Sequence, residues 1–143
     1  MLIDRQNQFS DAQSVTATAA STDIIDLGAV RNIGVGEELY IVFLVTTTFV
    51  GAAGTITPSL QTDDNAGFAS AATIRTYDTI PTLTAAGTYR FYKLEPFTAA
   101  GVYERYIRVM YTVAGTLSTS GISGFLTHDI QAYRAYAVGY TVQ

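Results

Sequence analysis

The chain has no cysteine, no tryptophan, three prolines and one histidine, and only 14% of its residues are charged. Without cysteine there is neither a disulfide framework nor a thiolate metal site. His128, beside Asp129, would have to serve any Ser–His–Asp hydrolase, but no nucleophile elbow or oxyanion-loop signature accompanies it. One imidazole and scattered acids do not make a metal centre. Asp26, Asp78, Glu95 and Glu104 have no spacing that pairs them as a glycosidase would need. The turn Asp63-Asp64-Asn65-Ala66-Gly67 lacks the ligand pattern and distal Glu of an EF-hand and reads as a solvated turn. No enzymatic activity, metal or cofactor is expected.

Other absences narrow the class further. Eight Lys and Arg oppose twelve Asp and Glu, for a net charge of -4. No basic cluster stands out, so a nucleic-acid partner is not expected. No apolar run approaches the ~18–20 residues of a membrane helix. The start, Met1 to Gln8, has no basic region followed by an apolar one, so neither membrane insertion nor Sec export is expected.

What the chain does have is β-forming residues in short, turn-bounded runs. The most apolar stretch is Leu39 to Val50, rich in β-branched and aromatic residues and read as a central strand. Leu39, Ile41, Phe43, Val45, Thr47 and Phe49 share one side, the expected core face. The other side begins apolar at Tyr40, Val42 and Leu44 and needs a second cover. Tyr103 to Val113 is a second strong strand, with Tyr103, Ile107, Val109, Tyr111 and Val113 on one face and Arg105 as the exception. Weaker strands are expected at Ser14–Ala20, Ile24–Leu27, Thr55–Thr62, Thr73–Tyr77, Thr88–Leu94 and Ser118–Thr127. Pro58 has no N–H for a ladder, which places its strand at an edge or a bulge. In Thr88–Leu94 the apolar parity changes at Phe91-Tyr92, implying a bulge or burial on both faces.

The pattern predicts an all-β antiparallel sandwich or barrel of about eight strands in one domain, residues 1–143. An extended N-terminal arm is expected over 1–13, with Leu2, Ile3 and Phe9 as anchors, and a C-terminal tail over 128–143. Ten Tyr and seven Phe are present, and Tyr133, Arg134, Tyr136 and Tyr140 crowd the tail. Such residues anchor interfaces, because they bury a large area and keep a polar tip. They also pack well on a sandwich of their own, and the sequence supports both readings. A carbohydrate-binding sandwich is the alternative class, although stacking modules favour Trp.

Several stretches together carry a resemblance. Met1-Leu2-Ile3-Asp4-Arg5, Phe9-Ser10-Asp11-Ala12-Gln13, Val15 to Ala19 and Ile25-Asp26-Leu27-Gly28 resemble the capsid cement proteins of short-tailed bacteriophages, of the Bordetella-phage type. Ile33 to Glu37, Leu60 to Asn65, Tyr103 to Val109, Arg134-Ala135-Tyr136 and Gly139-Tyr140 are similar too, in matching order. Ala137 stands where proline is expected in relatives. The resemblance implies a jelly roll on the outer capsid surface of the virion, made in the host bacterial cytoplasm, that staples neighbouring major capsid protein subunits and pairs as a homodimer. By position it implies contacts at Leu2, Ile3, Asp4, Arg5, Phe9, Tyr40, Tyr133, Arg134, Tyr136 and Tyr140. It supplies no catalytic residue. Deleting 1–9 or 130–143 is expected to weaken capsid association more than the fold.

Overall fold

Two long strands with period-two patterning carry the architecture of the computed structural model, which describes residues 3–33, 36–94, 103–128 and 130. Numbered in chain order, the strands are β1 (Gln8–Gln13), β2 (Ala19–Ala20), β3 (Ile25–Asp26), β4 (Tyr40–Val50), β5 (Thr55–Asp63), β6 (Ala72–Thr76), β7 (Ile80–Pro81), β8 (Tyr89–Lys93), β9 (Tyr106–Ala114) and β10 (Thr119–Thr127). A 3-10 turn, Arg5–Asn7, precedes them.

Sheet A runs β1-β10-β4-β8 and sheet B runs β2-β9-β5-β6, with β3 also on β9 and β7 also on β5; all the pairings between these strands are antiparallel. Counting β2 with β3 and β6 with β7 as interrupted strands leaves eight positions. The first pairs with the last, the second with the seventh, and so on inward, like one long hairpin folded over itself. This nesting is the jelly-roll order, as the resemblance to the cement proteins implies; the strand pattern alone predicts only the all-β sandwich or barrel.

The core lies between the sheets. Ile41, Phe43, Val45 and Phe49 of β4 meet Ile107, Val109 and Tyr111 of β9, all at zero exposure. Burying each such side chain contributes about 1.5–3 kcal/mol. Phe43 packs 5.3 Å from Tyr77 and 6.4 Å from Tyr111, ring centroid to centroid. The two sheets are also joined by a buried polar link. Tyr111 of sheet B spans the core and shares a 2.7 Å hydrogen bond with Ser10 Oγ, which accepts from the Gly124 amide at 3.0 Å. Burial pushes the Tyr111 phenol well above its ordinary range. Gly124 leaves room for that hydroxyl, because a Cβ there would sit 2.7 Å from it.

Four expectations change. The arm over 1–13 gives way from Gln8 onward, because Gln8–Gln13 pairs with β10 and Phe9 is fully buried. The strand expected over Ser14–Ala20 is only Ala19–Ala20, since Val15 and Thr18 bond instead to Ser120 and Val113. Thr47 is exposed rather than inward, because the β4–β10 register shifts beside Gly121. Pro58 lies in β5, an interior strand, not at an edge. Its carbonyl accepts from Tyr77, so its missing N–H faces the same side, where β6 has ended and β7 has not begun. The interruption removes the conflict that proline would otherwise create. In β8 the register against β4 is continuous, and Tyr89 to Tyr92 are all half-buried, so the parity change reflects burial on both faces.

Candidate functional site

The even-numbered side of β4 is the feature that folding leaves to explain. It faces away from the inter-sheet core, and its register builds a row across sheet A: Phe125 of β10 opposite Val42, and Val42 opposite Phe91 of β8. The next row places Ser123 opposite Leu44 and Leu44 opposite Tyr89. Tyr89 and Phe91 stack with centroids 5.7 Å apart and planes 7° from parallel. Cross-strand rows of aromatic and β-branched residues are the usual unit of sheet stabilisation. Here they form an apolar patch outside the main core.

Val42 and Phe125 have zero exposure although neither belongs to the core cluster. This outer face is therefore a second buried layer at its centre, while Tyr40, Leu44, Tyr89 and Phe91 around it are half-buried. Ser123 is buried with them and accepts from the Ala12 amide at 2.8 Å.

A charged cluster closes one end of the patch. Glu38 takes the Lys93 ammonium at 2.5 Å and also the Tyr40 hydroxyl. The Lys93 and Tyr40 hydrogen bonds hold the Glu38 carboxyl below its ordinary range, and the same bonds raise Lys93 and Tyr40. His128 Nδ1 lies 3.2 Å from the Glu38 carbonyl oxygen. The cluster is exposed, so its ion pair is a weak clamp on the loop before β4.

The contact residues read from sequence do not all come together. Asp4 caps the 3-10 turn by accepting from the Gln6 amide at 2.9 Å, and Arg5 is exposed within it. Ile3 is half-buried. Phe9 is core rather than surface, so removing residues 1–9 would open the sandwich itself, contrary to the expectation for that deletion. Among the described contact residues, Tyr40 alone reaches the patch. Leu2, Tyr133, Arg134, Tyr136 and Tyr140 lie outside the described residues, as does Asp129. Sequence reasoning missed Tyr89, Phe91 and Phe125, whose partnership with Val42 and Leu44 depends on a register that no local pattern prints.

Three acids outside the charged cluster have structural partners, and Glu95 lies outside the described residues. Arg105 Nε and Nη2 donate to Asp26 at 2.9 Å each, and this fork, with the Gly28 amide, holds the Asp26 carboxyl at about 2. Asp78 accepts from the Tyr92 hydroxyl at 3.2 Å. Asp63 accepts from the amides of Asn65 and Ser70 at 3.0 and 2.8 Å, and those donors keep its carboxyl below its ordinary range. It closes its own loop. Among the described residues no group of three His, Asp or Glu is placed to hold a metal, and no helix is long and apolar enough to cross a membrane.

Residues 9–126 match the Bbp16 family model, a span from β1 to the penultimate residue of β10. It covers well over half of the 143 residues, and the chain belongs to the Bbp16 family. No curated protein matches it.

Proposed function

For this member of the Bbp16 family, we propose the role of a structural virion protein. It binds the outer surface of a phage capsid, staples neighbouring major capsid protein subunits and stabilises the mature shell. The family match over residues 9–126 is compatible with a phage protein, and the cement role itself rests on the resemblance seen along the sequence. The observation that carries the reading is the half-buried apolar rim on the outer face of sheet A, Tyr40, Leu44, Tyr89 and Phe91, around the buried Val42 and Phe125. A charge-poor sandwich with an aromatic second layer is suited to protein surfaces rather than to polyanions. The proposed partners are the major capsid protein and a second copy, with the half-buried rim of sheet A as the homodimer face; neither nucleic acid nor membrane is among them. The proposed location is the outer capsid surface, after synthesis in the host cytoplasm.

The mechanism is mass action. A protein that binds the assembled shell and not its dissociated subunits stabilises assembly, and many symmetric copies multiply modest contacts. Co-sedimentation of purified protein with mature phage shells tests the reading, with stoichiometric pelleting at micromolar concentration expected. No pelleting at that concentration would overturn it. The dimer is tested separately by solution mass. A dimer is expected, and Leu44→Lys is expected to convert it to monomer.

A further inference from the structure

The charged residues are distributed very unevenly in space. None falls in residues 12–22, 39–62, 79–89 or 109–128. The topology gathers these gaps at one end of the sandwich. The loops there are 14–18, 51–54, 82–88 and 115–118, and they contain no Asp, Glu, Lys or Arg. Hydrogen bonds confirm the gathering: Thr116 donates to Ala52, Thr82 to Gly54, Leu83 to Phe49 and Gly87 to Val45, while Thr18 Oγ1 takes the Val113 amide. Charges sit on the sides and at the other end, which holds Asp26, Glu38, Asp63, Lys93 and Arg105.

At the neutral end an aliphatic side chain is held out into solvent. Leu83 is 77% exposed, the most of any large hydrophobic among the described residues, and Val50, adjoining the carbonyl that holds it, is 47% exposed. Leu83 also has φ of +65°. A branched residue in that left-handed region is strained by about 1–2 kcal/mol. Neither burial nor backbone preference accounts for leucine here.

The support beneath it is rigid. The Leu83 amide donates to the Phe49 carbonyl at 2.9 Å, Thr82 to Gly54 at 2.8 Å, and Thr84 Oγ1 to Pro81 at 2.7 Å. Loops 51–54 and 115–118 meet backbone to backbone: a Cβ on Gly51 would lie 2.0 Å from the Thr116 carbonyl oxygen, and one on Gly115 2.3 Å from that of Ala53. A preorganised knob loses little entropy on docking.

We infer that this uncharged end, with Leu83 as its anchor and Val50 beside it, is the surface that docks on the capsid, Leu83 entering an apolar pocket of the shell protein. The inference rests on the proposed capsid role. Charged residues are depleted at the centres of protein interfaces, which this end matches and the opposite end does not. The shell is chosen over a second copy because the aromatic rim of sheet A is already proposed for self-association. A polyanion or an anionic membrane would find no cation here.

The test is co-sedimentation of full-length wild type, Leu83→Asn, Leu83→Asp and Thr73→Asp with mature phage shells, alongside thermal melts and sedimentation velocity. Thr73 is an exposed position on sheet B, away from this end. The expected result is about tenfold or greater loss of shell affinity for both Leu83 variants, none for Thr73→Asp, and a melting temperature for Leu83→Asn at or above wild type. Asn adopts left-handed backbone more easily, so a binding loss without a stability loss separates docking from folding. Equal pelleting of wild type and Leu83→Asn would overturn this placement and leave the capsid role standing. Failure of wild type to pellet would overturn the capsid role itself. Loss of self-association in Leu83→Asn, with shell binding intact, would reassign the knob to a second copy and overturn the inference.

Discussion

The outer faces of the two sheets differ in kind. Sheet A carries Val42 and Phe125 at zero exposure, flanked by Leu44 and the stacked Tyr89–Phe91 pair. Sheet B carries a polar lattice: Arg108 donates from Nε to Gln61 at 2.9 Å and lies 4.2 Å over the Phe68 ring, and the hydroxyls of Thr57 and Thr79 meet at 2.8 Å. Both sheets contribute equally well to the inter-sheet core. The difference is therefore not needed to close the sandwich, since an antiparallel sheet can leave one face to water. It shows that sheet A has a second buried layer, and the proposed self-association is placed on the half-buried rim of Tyr40, Leu44, Tyr89 and Phe91 around it.

The comparison breaks most clearly at Phe125. If the outer face of sheet A is a true layer, Phe125→Ala costs about 3–5 kcal/mol in urea denaturation, as for a core aromatic. Thr73→Ala on sheet B stays within about 0.5 kcal/mol. A loss below about 1 kcal/mol at Phe125 would reduce the face of sheet A to ordinary surface. One residue away, on the inner side of the same strand, Gly124→Ala brings a methyl to 2.7 Å from the Tyr111 hydroxyl. Overpacking of that sort costs about 1–3 kcal/mol. The same substitution is expected to shift the Tyr111 hydroxyl away from Ser10, seen as a changed near-ultraviolet dichroism.

On the face of sheet B the effects are smaller. Arg108→Ala removes the cation–π contact and the Gln61 bond, and about 0.5–1.5 kcal/mol of unfolding free energy is expected to go with them. The smallest effect is at Asp26, on β3 at the end of sheet B. Its carboxyl is held at about 2, below the ordinary 3.8, by the Arg105 fork. A depressed folded-state value means that the pairing contributes above about pH 4 and is lost as pH falls toward 2. Both partners are exposed, so the amplitude is slight. Wild type is expected to lose stability across that window, and Asp26→Asn to lose less. Identical acid melts would show that the fork adds nothing to the fold.

Much of this was legible in the sequence. The inward face of β9 follows period two from Ile107 to Val113, and that of β4 does so from Ile41 to Val45. Both are strong because a buried face tolerates no one-residue slip. Even the need for a second cover on Tyr40, Val42 and Leu44 could be read, since those residues sit where a one-sided strand would be polar. Phe9 was misplaced because a single aromatic in a polar hexapeptide looks the same whether it anchors an arm or fills a core. Thr47 was misplaced because a register shift cancels the alternation from which it was assigned. Pro58 depended on a break in a neighbouring strand that its own sequence does not contain.

By itself, the sequence determined the class of fold, the alternation of the long strands and the shortage of charge, because each is a local or summed property of residues. Tertiary structure alone decided which residues share a row across sheet A. It also decided that four uncharged stretches, far apart along the chain, meet at one end around Leu83. Register and strand order bring these residues together, and both are set by pairings between positions more than a hundred residues apart, such as Ser10 and Gly124, which are separated by 114. No local preference encodes such distances, so the surfaces proposed here for docking and pairing exist only once the jelly roll has closed.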